Sequence, residues 1–404
     1  MKLRTSPRAS AARGRLPLAV HLLAFSLFAM GSAEFLVAGV LPAIAHDLRI
    51  TLPSAGAMIS TFAAGVVIGG PLLAVATLRL SRRITLVTAQ VVFAASVAAG
   101  LLTDHYGLIL VARFVSGLAY AGFWAAAAVT AIGLVTPERT ARASGVVVSG
   151  LSLAMVAGGP ASALLSHFTG WRGGFWAVVV LTAVGAVATL VAVPETRAGE
   201  EPDLRRELRT LARPQLWLVY GVTLLSTAAY MVSYTYLAAF LTDATGIPAV
   251  WVPPILTVFG IGAFLGLSAG GRIADARPFH ALLGGAAGIG VTSVLLAALA
   301  DRAPAVVVLV LLLGITGFVL NPAIYGRVFT IAAGAPTLAG ATAVSAFQLG
   351  ISLVPVFAGT ALDAGAGVAS IPWIGAGLAV ATMLAALLDR RLTRAPGPES
   401  AVEP

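Results

Sequence analysis

Glu34 and Arg113 are the two charged side chains that the sequence places deep inside apolar stretches. Glu34 lies within FSLFAMGSAEFLVAGVLPAIAHDL, residues 25–48, far from either end of the stretch. A carboxylate in hydrocarbon costs about 2.5–3.5 kcal/mol on insertion scales, so such a residue is by default a functional-site hypothesis. Burial favours the protonated acid, whereas a nearby Arg favours the carboxylate. We therefore predict that Glu34 binds and releases a proton in the course of the protein's function.

The depths of Glu34 and Arg113 suggest that the two side chains meet. At 1.5 Å per helical residue, Glu34 lies about 13 Å and Arg113 about 10 Å below the same membrane surface. Charges inside a membrane tend to pair and to face the bundle interior. We expect a pair, direct or through water. The alternative is a fixed structural salt bridge with no part in proton movement.

A second group of residues combines aromatic rings with uncharged polar groups, as the wall of a binding cavity does. In the seventh apolar stretch Ser226, Tyr230, Ser233 and Tyr234 are spaced by three and four residues, which predicts one helix face. The predicted cavity residues are Tyr120, Trp124, Tyr230, Ser233, Tyr234, Asn321 and Gln348. The alternative for each is a hydrogen bond between helices. With one deep acid, we expect an uncharged or weakly polar ligand rather than a multiply cationic one.

Composition defines the elements that must position these residues. Of 404 residues, 59% are hydrophobic and 10% are charged, against about 25% charged in soluble domains. A spanning helix needs about 20 mostly apolar residues. The sequence therefore predicts an all-α membrane protein with twelve transmembrane helices, near 17–43, 53–78, 84–102, 107–135, 143–166, 172–194, 214–242, 250–271, 279–300, 304–326, 337–362 and 367–388. Arg327 and a Gly/Pro-rich turn are expected to separate the tenth and eleventh helices.

The basic residues predict the orientation. With the N-terminus inside, 21 of the 25 Lys and Arg residues fall in inner segments and only Arg49, Arg172 and Arg302 in outer ones. This asymmetry follows the positive-inside rule and predicts cytoplasmic N- and C-termini in a multi-pass protein of the cell membrane. Because the basic residues lie between apolar stretches, the net charge of +9 does not indicate a nucleic-acid partner.

The longest polar stretch divides the chain into halves. Residues 195–213, ETRAGEEPDLRRELRTLAR, are predicted to be a cytoplasmic linker between a six-helix bundle at 1–194 and a second at 214–404. The end of the second predicted helix aligns with the end of the eighth at an offset of 197 residues, which places Ala74 on Gly271. Two six-helix repeats with a site between them are a known transporter plan.

The chain resembles the major facilitator superfamily over its whole length, and within it the twelve-span drug:proton antiporters, most closely the chloramphenicol-resistance efflux proteins. The resemblance is carried by the stretch around Glu34, by LVARFVSGLAYAGFWA at 110–125, SGLSLAMVAGGP at 149–160, GWRGGFWAV at 170–178, LTDATGI at 241–247, GRIADARP at 271–278 and AGAPTLAGATAVSAFQLG at 333–350. It implies two six-helix pseudo-repeats, alternating access, and export driven by the proton gradient without a cofactor. Sugar and purine exporters share much of this pattern.

The resemblance also implies a conformational gate. The family's loop motif after the second helix keeps Arg79, Arg82 and Arg83, and its second copy keeps Gly271, Asp275 and Arg277. The fifth helix keeps the exporter glycine series as Gly150, Gly158, Gly159 and Pro160, which by family analogy packs against the eighth helix. Arg113 and Gly117 match the motif of the fourth helix. Leu78 stands where the first loop motif has Asp.

The expected partners are therefore a small amphipathic substrate such as chloramphenicol, protons and the lipid bilayer, for a monomeric protein with no nucleic acid. The alternative cargo is a sugar, nucleoside or other small metabolite. A membrane enzyme would need a nucleophile beside a base or clustered metal ligands. The five His residues are scattered and there is no Cys, so we expect neither an enzyme nor a metal site. A sensor would need a soluble output domain, and no segment is long enough for one.

Overall fold

The computed structural model describes residues 16–76, 80–136, 139–195, 209–333 and 336–394. These residues form twelve helical spans and no strand, which confirms the predicted fold class. The first six spans are α1 Leu18–Asp47, α2 Leu52–Ala76, α3 Arg82–Leu101, α4 Tyr106–Gly133, α5 Thr140–Leu153 with Gly159–Thr169, and α6 Trp171–Ala192. The last six are α7 Pro214–Thr235, α8 Val252–Ala276, α9 Pro278–Ala298, α10 Ala303–Phe318 with Asn321–Ile331, α11 Pro336–Asp363, and α12 Ile371–Arg394.

Helices are the required form here because a backbone in lipid must satisfy its own hydrogen bonds. Large apolar side chains such as Leu102, Phe168 and Val191 are exposed on the outside of the bundle, where lipid replaces water. Two spans are interrupted at proline. Pro160 follows a π-helical turn in α5, and Pro322 follows a break in α10, because proline cannot donate to the preceding turn.

We call α1–α6 the first half and α7–α12 the second half. The terminal face is the side of the bundle where α1 begins and α12 ends, and the distal face is the opposite side. Within the first half α2 packs on α4, α3 on α4 and α6, and α1 on α5 and α6. Within the second half α8 packs on α10, α9 on α12, and α7 on α11 and α12. The halves meet mainly where α2 packs on α11 and α5 on α8.

The predicted repeat offset of 197 residues recurs in the closest helix contacts. Gly65 of α2 and Gly117 of α4 face each other, and a Cβ on Gly117 would lie 3.2 Å from the Gly65 Cα. Their counterparts, Gly262 of α8 and Gly314 of α10, are each 197 residues further along the chain and face each other in the same way. Small residues let membrane helices approach closely. The predicted linker, 195–213, lies largely outside the described residues.

Contacts between the halves are tight towards the distal face. A Cβ on Gly56 of α2 would lie 2.7 Å from the Tyr236 hydroxyl, and one on Gly39 of α1 would lie 2.8 Å from Leu256 of α8. Towards the terminal face, a Cβ on Gly145 of α5 or Gly326 of α10 would meet no atom within 4 Å. The two halves are therefore closed against each other on the distal side.

Several helices end at residues other than the predicted ones, and two of these errors change the setting of a charged residue. α1 continues from the predicted end at 43 to Asp47, because the Asp47 carboxylate accepts hydrogen bonds from Trp171 and Arg172 at 2.7 Å each. Glu34 is therefore 13 residues from the end of α1, about 20 Å rather than 13 Å.

The second error concerns Arg327, which we expected in the turn between two spans. It lies inside α10 and pairs with Asp389 of α12, with Nε 2.5 Å from Oδ2 and Nη2 2.7 Å from Oδ1. Asp389 is 1% exposed, and the guanidinium also lies 4.8 Å from the ring centre of Phe279 in α9. The second half thus holds a buried ion pair that the sequence alone did not suggest. It ties α9, α10 and α12 together near the terminal face.

We expect Asp389→Ala to lower the free energy of unfolding by about 3–5 kcal/mol, because it leaves the Arg327 charge buried and unpaired. The double change Arg327→Met with Asp389→Leu should recover most of this loss. Thermal unfolding of the detergent-purified proteins measures both effects. Asp301→Asn, at an exposed position, is the control. A double variant as unstable as Asp389→Ala would contradict the assignment.

Candidate functional site

Glu34 lies near the middle of α1, on the part of the helix that faces the other half. Its side chain is partly exposed, although both neighbours in the chain, Ala33 and Phe35, are buried. Gln348 of α11 reaches the carboxyl group from the second half. One turn before Glu34, a Cβ on Gly31 would lie 3.9 Å from the hydroxyl of Tyr120. The acid is therefore at a polar point where the two halves meet.

Arg113 acts on Glu34 through its charge rather than through a direct bond. The guanidinium is within electrostatic range of Glu34, but the two do not form an ion pair. Its Nε donates to the Met58 carbonyl oxygen at 3.3 Å, and its central carbon lies 4.5 Å from the ring centre of Phe62. The residue is only 5% exposed, and within the described part of the chain its Nη1 has no hydrogen-bond partner. Of the two forms of the pair that we expected, direct or through water, the direct ion pair is therefore not formed, and the Arg113 charge is held at a distance from Glu34.

Aromatic rings from both halves surround the acid. The Tyr120 ring of α4 lies 6.3 Å from Trp124 and 5.6 Å from Phe62. From α7, the Tyr234 ring lies 4.4 Å from Phe259 of α8 and 6.4 Å from Phe35 of α1. The side chains within electrostatic range of Glu34 are Arg113, Tyr120, Tyr230 and Tyr234.

Tyr230 and Asn321 belong to one polar group in the second half. The Tyr230 hydroxyl faces the side chains of Thr227 and Asn321 without a well-aligned hydrogen bond, and its ring lies 5.1 Å from that of Phe318. Tyr325, which we did not predict, lies beside the same hydroxyl. The spacing of four residues between Asn321 and Tyr325 could have identified it from the sequence, because residues at this spacing share a helix face.

Ser233 does not belong to this group. It lines a small cavity inside the second half with Leu296 of α9 and Ile371 at the start of α12. Successive helical residues are turned by about 100°, so Ser233 and Tyr234 point in different directions, and Ser233 faces α9 and α12. Its hydroxyl is buried and has no hydrogen-bond partner among the described residues.

The predicted gate residues lie near the terminal face. Arg82 donates from Nη1 to the Val129 carbonyl oxygen at 3.2 Å, and Arg83 forms an ion pair with Glu195. Asp275 and Arg277 are exposed, and within the described residues neither forms an ion pair. Arg79 lies outside the described residues.

The glycine series of α5 packs on α1. A Cβ on Gly158 would clash with Ser32 and one on Gly159 would lie 2.7 Å from the Phe35 Cβ, while Gly150 lies against the backbone of Ala24. Pro160 is buried beside them. The expected packing on α8 exists as well. A Cβ on Gly260 of α8 would lie 2.6 Å from the Val156 Cα in the π-helical turn, and the segment Gly159–Thr169 also contacts α8. Helix α5 therefore holds both the helix that carries Glu34 and the opposite half.

Twelve spanning helices in two halves, with a partly exposed acid between them, define a multi-pass membrane transporter. Residues 23–355 match the Major Facilitator Superfamily. The chain is 37% identical to a chloramphenicol resistance protein of Streptomyces lividans, over 96% of this chain and 100% of that protein. It is 28% identical to a chloramphenicol efflux pump of Mycobacterium tuberculosis, over 83% of this chain and 84% of that protein.

A solved structure of a mutant of the nucleoside transporter NupG shares the fold. The TM-score is 0.74 at 14% sequence identity, with 92% of this chain and 99% of that chain covered. The chain belongs to the Major Facilitator Superfamily.

The α2–α11 contact provides a test of the conformation. Ser60 Oγ donates to the Ser352 carbonyl oxygen at 2.6 Å, which brings these two positions within reach of a disulfide. The chain has no Cys, so labelling has no background. We expect Ser60→Cys with Ser352→Cys to crosslink under mild oxidation and to stop transport until a reductant is added, because opening of the distal face must separate these helices.

Mass spectrometry of the tryptic peptides detects this crosslink. The matched control combines Ser60→Cys with Ser268→Cys, which lies on an exposed surface of α8. Equal crosslinking of the two pairs, or full transport by the oxidised 60–352 pair, would contradict the described closure.

Proposed function

We propose that the protein exports a small amphipathic drug of the chloramphenicol type in exchange for protons, by alternating access. The observation that carries this proposal is the setting of Glu34, a partly exposed acid in a wall of tyrosines between two halves that are closed on one side. The chloramphenicol-related relatives support the substrate class.

The proton site consists of Glu34 with the charge of Arg113 behind it. An ionised carboxyl is costly at this depth unless polar or cationic groups offset the cost. Arg113 supplies part of that offset in every conformation, because its own partners, Met58 and Phe62, belong to the first half. Protonation removes the charge when the surroundings become less polar. The Glu34 carboxyl group can thus alternate between an ionised and a protonated state.

The substrate site is the surrounding aromatic and amide wall. We assign to it Tyr120 and Trp124 from the first half and Tyr230, Tyr234, Asn321 and Tyr325 from the second. Aromatic faces bind an apolar ring, while hydroxyl and amide groups orient a compound with few polar atoms. Ser233, which we first placed in this wall, is left out because it faces α9 and α12.

Alternating access then follows from the arrangement of the halves. We assign the terminal face to the cytoplasm, in keeping with the positive-inside rule. In this conformation the substrate site is closed towards the outside. Arg82, Arg83, Asp275 and Arg277 lie near the cytoplasmic ends, where they would join the halves when the site opens outwards. The protein works as a monomer in the bilayer, needs no cofactor, and takes its energy from the proton gradient.

We expect Glu34→Gln to abolish gradient-driven export, because glutamine cannot bind and release the proton. Wild type should raise the chloramphenicol resistance of a susceptible strain, and a protonophore should remove that resistance. A panel of drugs tested with and without the protonophore measures both properties. Asp301→Asn, in an exposed loop position, should behave as wild type.

Two results would count against the proposal. Export by Glu34→Gln that still responds to the protonophore would remove Glu34 from the proton path. If wild type transports a sugar or nucleoside and changes the resistance to no drug in the panel, the protein is a transporter with a substrate other than the proposed drug.

A further inference from the structure

Gln348 lies on the face of α11 that joins the two halves. It is three residues after Ser345 and four before Ser352, a spacing that puts all three on one face of the helix. Ser345 Oγ lies 3.5 Å from the Val67 carbonyl oxygen, and the Ser352 carbonyl oxygen accepts from Ser60 at 2.6 Å. Both contacts cross to α2 of the first half. Gln348 is therefore held between two bridges across the interface.

The side chain of Gln348 is directed at Glu34 and is nearly inaccessible. It is 3% exposed, its amide reaches the carboxyl group of Glu34, and its Oε1 has no hydrogen-bond partner among the residues that the structure describes. An amide with its oxygen free offers its N–H groups to the acid. A hydrogen bond donated to a carboxylate stabilises the ionised form. Leu151 and Ala154 of α5, by contrast, line the same side of α1 with apolar groups.

The other charged and titratable groups around Glu34 either lie in the same half as the acid or are neutral. Arg113 and Tyr120 are on α4, in the same half as Glu34. Tyr230 and Tyr234 are on α7, in the opposite half, but each is a neutral phenol near neutral pH. Gln348 is the group of the opposite half whose N–H donors face the carboxyl.

We propose that Gln348 is the positioning residue that releases the proton from Glu34: when the distal side closes, α11 brings its amide against the carboxyl and stabilises the carboxylate. When the distal side opens, α11 moves away with the second half and the acid rebinds a proton from the outside. The proton leaves as hydronium on the terminal side, and no bond other than O–H is made or broken. This inference rests on the proposed proton-coupled export.

The test is the pH dependence of exchange in everted membrane vesicles, in which the terminal face is bathed by the external buffer. The rate of chloramphenicol-induced proton movement is followed with a fluorescent pH probe as the external pH is varied. We expect Gln348→Met, of similar volume, to shift the half-maximal pH upwards by about one unit. The reason is that a hydrogen bond to a charged group is worth about tenfold in equilibrium. Raising the external pH should therefore restore exchange.

Ser352→Ala is the matched control. It lies on the same face of α11, and its bridge to Ser60 uses the backbone oxygen, so its pH profile should equal that of wild type. If Gln348→Met does not fold, as judged by size-exclusion chromatography, Gln348→Asn carries the same prediction with the amide withdrawn by one methylene group.

The outcomes separate this inference from the proposed function. An unchanged pH profile with a raised KM for chloramphenicol would make Gln348 a substrate contact and overturn the inference alone. Loss of exchange at every pH in a folded variant would make its role structural and overturn it too. Wild type without any drug-induced proton movement would instead overturn the proposed function.

Discussion

The structure depends on how one carboxyl group is accommodated in a membrane. Ionised Glu34 is costly in hydrocarbon, so the protein must either protonate it or surround it with compensating groups. Some of these groups are permanent, since Arg113 is fixed by Met58 and Phe62 within the first half. Others come from the second half. The stability of the charge is therefore linked to how the halves meet, and that link is the physical basis of the proton coupling that we propose.

The two halves share their packing but not their chemistry. The contact of α2 with α4 and that of α8 with α10 use glycines at corresponding positions. At the same offset of 197 residues, however, Glu34 corresponds to Met231 and Arg113 to Val310, both buried and apolar. The second half has a charged pair of its own, Arg327 with Asp389, in a different place. That pair is enclosed by α9, α10 and α12, so it stabilises one half rather than the interface.

Helix α5 connects the helix that carries Glu34 to the opposite half. Its glycines bring its backbone against α1 beside Ser32 and Phe35, close to Glu34, while Val156 of the π-helical turn packs on α8. A π-helical turn places an extra residue in the helix and often occurs at functional sites. Here it lets Pro160 be accommodated and presents different residues to the two neighbours. Helix α5 thus contacts both α8 and the helix that carries the acid.

The sequence by itself determined the twelve spans and the class of protein, and it singled out Glu34 as a hypothesis. These follow from local quantities: runs of apolar residues, their interruption by charge, and one acid where hydrocarbon is expected. Tertiary structure alone decided which side chains meet. It turned Ser233 towards α9 and α12, placed the Arg113 guanidinium over Phe62, paired Arg327 with Asp389, and brought Gln348 to Glu34. Such contacts depend on the rotation and depth of helices far apart in the chain, and a single sequence carries no direct record of either.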